Sequence, residues 1–284
     1  MPQRLASILF ASVLCLACDS GETEGSGGSA STSSTTGAGG EDCGCGPLEQ
    51  GVGELCVAQL VELPNGTAID ATEVTRAQYG AWLATNPSPT SSSDPDCVNN
   101  ITYEPEDAWP ERGCTPNEWT PGERGDHPAV CVGWCDAHDY CASVGKRLCG
   151  AIGGGPNAYG DLSDPNKSAW FAACSSGGVN SFPYGDTFDS AACNGDDAGL
   201  GEPAPVGSFP SCQSPDPAWA GVFDMSGNVW EWEDSCFGDA GDIPCRLRGG
   251  ASGERESGLL CGNEFYWYKI STFGPNIGFR CCSP

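Results

Sequence analysis

The feature that most constrains this chain is its cysteine content, 19 of 284 residues. The chain opens on MPQRLASILFASVLCLAC, a short basic start and then an apolar run with the length of a signal-peptide core, too short to span a bilayer. Many cysteines in an exported chain indicate disulfides. Beyond this start there is no C-x-x-C pair, and two histidines are too few for ordinary zinc sites. The sequence therefore predicts a disulfide-rich exported protein.

The end of the apolar run indicates a lipid anchor. LCLAC resembles the cleavage box of bacterial lipoproteins, with Cys18 as the residue that would be lipidated; an ordinary secretory signal is the alternative. The stretch that follows, GETEGSGGSASTSSTTGAGGED, is typical of a flexible tether and favours the lipoprotein. We predict a signal peptide at residues 1–17, a lipid-anchored linker at 18–46 and one domain at 47–284. The protein would lie in the bacterial cell envelope, held to the membrane through its lipid alone.

The net charge limits which partners the protein can bind, and the number of cysteines limits how they can pair. With 38 acidic and 12 basic residues the formal net charge is −26, which excludes nucleic acid as a partner because a phosphate backbone would be repelled. Excess carboxylate is compatible with calcium or with a merely solvated surface. Setting aside Cys15 and Cys18 leaves seventeen cysteines, an odd number, so one is free or pairs between molecules.

Dense glycine and proline predict one loop-rich α+β domain with short elements. Thr75 and Gln78 form the pattern of a capping box that opens a helix over RAQYGAWLAT. A second helix is predicted over CDAHDYCASVG, ending at Gly145, and a third over DPNKSAWFAAC, capped by Asp164. Short strands are predicted at residues 58–63, 129–133 and 278–282.

Six stretches occur in a fixed order: IDATEVTRAQYGAWL, HPAVCVGWCDAHDYCASVGKRL, PVGSFPS, GVFDMSGNVWEW, RLRGGAS and IGFRCC. Together they resemble the formylglycine-generating enzyme, or sulfatase-modifying factor, family over nearly all of the chain from residue 52. The resemblance implies a disulfide-rich single domain with a loop-rich elaboration of the C-type-lectin-like fold. The sequence departs from the family in a shortened opening strand and in CGAIGGGPNAYGDLSDPNKSAWFAACSSGG, which replaces a short helix.

The resemblance implies calcium at the DMSGNVWEW turn. The ligands carried over are the Asp224 side chain, the carbonyls of Gly227 and Val229, and the Glu231 carboxylate. Calcium prefers six to eight oxygen ligands, and a turn of this composition can aim carbonyls inward. A turn without metal is the alternative.

A second family calcium site maps less cleanly onto CNGDDAGLG. Asn194 and the Gly195 carbonyl match, and the acidic ligand is Asp196 or Asp197, of which we favour Asp197. A solvated acidic turn is an equal alternative.

The family's oxidase binds copper(I) through two cysteines, which the resemblance places at Glu254 and Leu259 of this chain. Neither side chain can replace a soft thiolate, so copper is not expected and no catalytic residue is assigned. Cys261, two positions late, is the one remaining candidate, although a structural disulfide is the expected fate of its thiol. The chain has only two histidines, too few to supply the iron ligands of the family's iron-dependent branch. It also lacks the G-x-S-x-G motif that would indicate a hydrolase.

Two functions follow from the sequence. The first is a calcium-stabilised binding or structural module for an unidentified protein or glycan ligand. The alternative is a formylglycine-generating oxidase that uses Cys261 and an unrecognised partner. Aromatic residues near the former active site could bind a ligand, although such residues pack in a core more often; they are Phe265, Tyr266, Trp267, Tyr268 and Phe273.

Overall fold

Ten short strands, three α-helices and several short 3₁₀ helices occur in the part of the chain that the computed structural model describes, residues 44–105, 114, 122–238, 243–263 and 267–284. The strands are β1 (Glu49–Val52), β2 (Leu55–Ala58), β3 (Leu60–Glu62), β4 (Ala68–Asp70), β5 (Arg147–Leu148), β6 (Trp230–Cys236), β7 (Pro244–Arg248), β8 (Trp267–Lys269), β9 (Ile277–Phe279) and β10 (Cys281–Cys282). The α-helices are α1 (Arg76–Leu83), α2 (Trp134–Ser143) and α3 (Ala169–Cys174). Short elements joined by long loops confirm the predicted loop-rich α+β class.

The C-terminal segment joins the two larger sheets. One sheet has the order β3-β4-β10-β5 and the other β8-β7-β6-β9, while β1 and β2 form a separate ribbon. Strand β9 lies parallel to β6, and β10 pairs antiparallel with β4 and β5. A single residue, Arg280, separates β9 from β10. Six consecutive residues therefore fix one sheet relative to the other, and the buried core packs around this junction.

Helix α1 begins as the capping pattern predicts. Thr75 Oγ1 accepts a hydrogen bond from Gln78 N–H at 3.2 Å, and Gln78 Oε1 accepts one from Thr75 N–H at 3.0 Å. Tyr79 and Trp82 of this helix are buried, and Leu83 is half-buried. The capping box satisfies two backbone donors that would otherwise lack partners at the helix start.

This cap gives a direct test of local stability. Replacing Thr75 with alanine should lower the free energy of unfolding by about 1 kcal/mol, because the N–H of Gln78 loses its acceptor. Urea denaturation measures the difference. Thr75→Ser keeps the hydroxyl and should remain close to the wild type. Equal stability of the alanine and serine variants would contradict the capping role.

Two sequence predictions about local structure are wrong. Helix α3 is capped by Ser168, whose hydroxyl accepts from Phe171 N–H at 3.0 Å. Asp164 instead accepts from Asn166 N–H at 2.9 Å in a preceding turn, so the helix begins four residues later than predicted. Residues 129–133 form no strand; they run as a loop in which Ala129 N–H donates to Val74.

The other predicted elements are confirmed with changed limits. Helix α2 begins one residue before CDAHDYCASVG, and Gly145 follows its end with a φ of 73°. The strand predicted at 58–63 is divided between β2 and β3, and that at 278–282 between β9 and β10. The domain limits remain a prediction, and the predicted signal and linker segments lie outside the described residues apart from residues 44–46.

Disulfides are confirmed as the main covalent framework. The sixteen cysteines among the described residues form eight bonds, and the seventeenth of the odd count, Cys43, lies outside those residues. The pairs are Cys45–Cys56, Cys97–Cys135, Cys114–Cys131, Cys141–Cys281, Cys149–Cys282, Cys174–Cys261, Cys193–Cys212 and Cys236–Cys245. In the same part of the chain, no helix has the length and apolar character needed to cross a membrane.

Candidate functional site

The turn at residues 224–229 has a backbone that few sequences can adopt. Asp224, Gly227 and Asn228 have φ values of 59°, 77° and 59°. Gly227 N–H donates to the Gly249 carbonyl at 2.9 Å, and Asn228 N–H donates to the Asn194 carbonyl at 2.8 Å. A Cβ on Gly227 would collide with that Asn194 carbonyl, so the position requires glycine. The turn is therefore fixed against two other loops immediately before β6.

A buried cluster of charges lies directly beneath this turn. The Arg280 guanidinium donates to both oxygens of Glu231 at 2.7 to 2.9 Å, and its Nη2 lies 4.0 Å from Glu73 Oε2. Glu231 Oε2 also accepts from Trp170 Nε1 at 2.8 Å. Asp224 is buried beside them, and its carboxylate interacts electrostatically with Glu231 and Arg280. Three carboxylates thus surround one arginine out of contact with solvent.

Burial, with a contribution from the surplus of negative charge, raises the pKa of two carboxyl groups in the cluster. Burial raises the pKa of Asp224 to about 6, although a hydrogen bond from Gly207 N–H and the charge of Arg280 oppose the shift. Burial, followed by repulsion from Asp224, raises the pKa of Glu73 well above its usual range. The cluster holds more carboxylate than Arg280 can neutralise, so an additional positive charge there is electrostatically favourable.

The predicted calcium ligands can be tested against these contacts. Both Glu231 oxygens accept two hydrogen bonds each, so a calcium ion could bind this carboxylate only by displacing donors. Asn194 Oδ1, by contrast, is buried and has no hydrogen-bond partner among the described residues. The charge surplus and this amide oxygen fit a hard cation, whereas Glu231 fits the role of ion-pair partner to Arg280. Ligation through Asp224, Gly227 and Val229 stays a prediction.

The residues of the second predicted calcium site divide into a buried and an exposed part. Asn194 is buried, and its Nδ2 donates to the Glu202 carbonyl at 3.0 Å. Gly195 is buried as well. Asp196 forms an exposed ion pair with Arg255, and Asp197 is exposed. Because the Asn194 carbonyl accepts from the 224–229 turn, the two predicted calcium regions touch each other.

The candidate reactive cysteine of the oxidase hypothesis, Cys261, has no free thiol. Cys261 forms a disulfide with Cys174, so the expected structural bond is confirmed and the candidacy of Cys261 as a reactive thiol is wrong. Glu254 is half-buried, and Leu259 is buried against the loop that carries Gly195. A carboxylate and an aliphatic side chain thus stand at the two positions where the family resemblance places cysteines.

A cavity of about 330 Å³ opens beside the Glu254 side chain. The Trp230 side chain donates a hydrogen bond to the Glu254 carboxylate, and partial burial raises the pKa of this group above its ordinary value. Gly258 makes room for the carboxylate, since a Cβ there would lie 2.7 Å from Glu254 Oε2. Thr272 and Asn276 contribute polar groups to the wall. The arrangement is a pocket with one acidic group at its side.

The predicted aromatic residues separate into two groups. Tyr268 and Phe273 line the cavity. Trp267 instead packs against Tyr159 and Phe237, at centroid distances of 5.0 and 4.8 Å. The remaining two, Phe265 and Tyr266, lie outside the described residues.

The sequence alone did not reveal which side chains contact Glu231 and Glu254. Arg280 was visible within IGFRCC and Glu73 within IDATEV, but a motif does not reveal that the two side chains meet Glu231. Trp230 lies within DMSGNVWEW, but the motif does not reveal that its side chain donates to Glu254. The clue available was the alternation along β6, which puts Trp230 and Glu231 on opposite faces.

Comparison with known proteins adds a family assignment to this geometry. A model described as the sulfatase-modifying factor enzyme 1-like domain matches residues 33–283. Inactive C-alpha-formylglycine-generating enzyme 2 of Mus musculus is 30% identical over 178 residues, which cover 57% of this chain and 50% of that protein. Formylglycine-generating enzyme of Bos taurus is 25% identical over 189 residues, which cover 56% of this chain and 45% of that protein. The chain spans about half the length of the curated relatives it matches.

Solved structures of similar chains include PvdO from Pseudomonas aeruginosa, which has 23% identity and a TM-score of 0.48 and covers 76% of this chain and 79% of that one. Treponema denticola variable protein 1 has 18% identity and a TM-score of 0.48, and the match covers 83% of this chain and 98% of that one. The family model accounts for most of the chain, and the six ordered motifs fall within the residues that it matches. The chain therefore belongs to the sulfatase-modifying factor family.

Proposed function

We propose that this protein is an exported, lipid-anchored binding module that keeps the fold of its family without the oxidase reaction. One observation carries the proposal: Cys261 is bonded to Cys174, while Glu254 and Leu259 stand at the positions of the two copper-binding cysteines. Copper(I) prefers soft thiolates, and neither a carboxylate nor an alkyl side chain substitutes for one. The name of the mouse relative, which calls that protein inactive, is in accord with such a loss.

The oxidase alternative supplies the decisive experiment. Purified protein, loaded with copper(I) under air, is incubated with a peptide of the pattern Cys-X-Pro-X-Arg, the motif that the family resemblance implies. We expect no loss of the peptide thiol and no aldehyde by mass spectrometry, even with enzyme and peptide at equal concentration. An active formylglycine-generating enzyme serves as the positive control. Aldehyde formation above the copper-only background would overturn the proposal.

The proposed location rests on the N-terminal sequence. The apolar run before Cys18 and the Gly/Ser/Thr tether after it supply an export signal, a lipidation site and a spacer. Eight disulfides in the described domain suit an oxidising compartment outside the cytosol. A tethered, covalently stapled domain is well suited to presenting a binding pocket at a membrane surface.

We further propose that calcium binds at the 224–229 turn. The support is the surplus of buried carboxylate around Arg280 and the buried Asn194 Oδ1, which has no hydrogen-bond partner in the described part of the chain. When bound, the ion would supply positive charge and hold the turn; Asp224 and the carbonyls of Gly227 and Val229 are its proposed ligands. Glu231 would act through Arg280 instead of through the metal.

Chelation tests this calcium proposal. A ligand at 100 times its Kd stabilises the folded state by about 2.7 kcal/mol. For a domain of this size, removing it should lower Tm by roughly 5 to 10 °C. Thermal unfolding with calcium and with EGTA measures the shift. Asp224→Asn should abolish the calcium-dependent difference, whereas Asp216→Asn, at an exposed position outside both predicted sites, should keep it. Identical wild-type curves in calcium and EGTA would count against the ion.

A further inference from the structure

We propose that the cavity beside Glu254 binds an organic cation, the ammonium or guanidinium group of a lysine or arginine side chain. The inference rests on the proposed function and names the ligand class of the binding module. The observation behind it is one partly buried carboxylate and three aromatic residues in the lining of a cavity of about 330 Å³. This volume lies at the lower limit of small-molecule pockets and suits one side chain or head group.

The first argument is charge. Glu254 is the only carboxylic acid among the described lining residues, and none of those residues carries a positive charge. Trp230 gives the carboxylate one hydrogen bond and leaves acceptor capacity on the group. A half-buried carboxylate without a basic partner is poorly solvated, so a cation that pairs with it offsets a cost already present in the free protein. The net charge of −26 also attracts cations toward the surface.

The second argument is the chemistry of the walls. Trp230, Tyr268 and Phe273 bring three aromatic side chains to one small space with the carboxylate. The faces of aromatic rings attract ammonium and guanidinium groups, more strongly where water is excluded. Leu247 and Ile277 add apolar surface that suits the methylene stem of such a side chain. Aromatic rings alone would also suit a sugar, but the uncompensated charge favours a cation.

The source of the cation can be a free amine or a basic residue in a peptide. A second cavity of about 270 Å³ shares Phe273 with the first and is lined in part by Asp96 and Asp136. A peptide could therefore place its basic side chain beside Glu254 and a neighbouring residue in the second cavity. This continuity favours the peptide, and the experiment below separates the two sources.

Isothermal titration calorimetry of the full domain measures the binding. The probes are Nα-acetyl-lysine N-methylamide, its neutral analogue with norleucine, and a Gly-Ser-Lys-Ser-Gly peptide with blocked ends; a matched arginine and citrulline pair forms a second set. We expect saturable binding of the cationic probes and at least tenfold weaker binding of the neutral ones. Tighter binding of the peptide than of blocked lysine would identify a peptide source, and equal binding a free amine.

Matched variants assign the binding to the pocket. Glu254→Gln keeps an acceptor for Trp230 and removes the charge, and should weaken the cationic probes at least tenfold. Glu256→Gln removes an exposed carboxylate two residues away, outside the lining, and should change affinity less than twofold. Should the glutamine variant fail to fold, as judged by circular dichroism, Tyr268→Ala tests the same cavity from its exposed wall.

Three results would overturn the inference: no binding of cationic probes at 10 mM, equal binding of cationic and neutral probes, or undiminished affinity in Glu254→Gln. Tighter binding of a neutral disaccharide than of blocked lysine would replace the cation with a glycan. None of these results depends on peptide oxidation, so the copper assay still decides separately whether the chain is an oxidase.

Discussion

Replacing Glu231 with alanine is expected to lower the free energy of unfolding by about 3 to 5 kcal/mol, the usual cost of removing one partner from a buried ion pair. Arg280 is fully buried, and three of its hydrogen bonds end on Glu231. Without that carboxylate the guanidinium would keep, among the described residues, the carbonyls of Asp70 and Phe223 as acceptors, with Glu73 at 4.0 Å and the charge of Asp224 nearby. The Trp170 indole N–H would also lose its acceptor.

Urea denaturation of Glu231→Ala measures this loss, with Glu62→Ala as the matched control. Glu62 is an exposed glutamate on β3, and its replacement should change stability by no more than about 0.5 kcal/mol. If Glu231→Ala were as stable as Glu62→Ala, the ion pair between Glu231 and Arg280 would contribute nothing measurable to the stability of the fold. Because Glu231 stabilises the fold through Arg280, its alanine variant would be destabilised with or without calcium. Asp224→Asn is therefore the cleaner probe of the metal.

Features set by neighbouring residues could be predicted from the sequence, and the Thr75 cap is the clearest case. A capping box needs only two residues three positions apart, so both partners of its hydrogen bonds can be identified from the sequence. The start of α3 shows the limit of this approach. Asp164 and Ser168 are both good N-cap residues, and the observed start after Ser168 is accompanied by a contact with a distant loop, in which the Gly150 carbonyl accepts from Ala169 N–H.

Contacts between distant residues account for what the sequence could not provide. Glu231 and Arg280 lie 49 positions apart, and both belong to motifs that the family resemblance had placed. The resemblance identified the fold and the loss of the cysteine pair, because those conclusions depend on which residues occupy which positions. It could not show that Glu231 faces Arg280 or that Trp230 faces Glu254, since these depend on how the strands bring side chains together in space.

Disulfide pairing is the strongest of these distant constraints, and it gives the largest expected effect. Cys141–Cys281 ties α2 to the C-terminal segment and Cys149–Cys282 ties the residue after β5 to it, across sequence separations of 140 and 133 residues. While either bond is present, the other closes only a small ring of roughly ten residues, which by loop entropy stabilises by about 2 to 3 kcal/mol. Removing both releases a long loop as well and should cost about 7 to 8 kcal/mol.

The two bonds should therefore be strongly non-additive. Alanine replacement of one pair is expected to leave a folded protein, whereas replacement of all four cysteines removes much of the 5 to 15 kcal/mol typical of a native domain and should unfold it. Replacing Cys45 and Cys56 together with Cys141 and Cys281 removes the same number of bonds from separate loops, and its cost should equal the sum of the two single deletions. Thermal unfolding of the single-pair variants and the two four-cysteine variants measures the difference. Equal stability of the two four-cysteine variants would mean that the C-terminal segment is held by its strand pairing and the Arg280 ion pair alone.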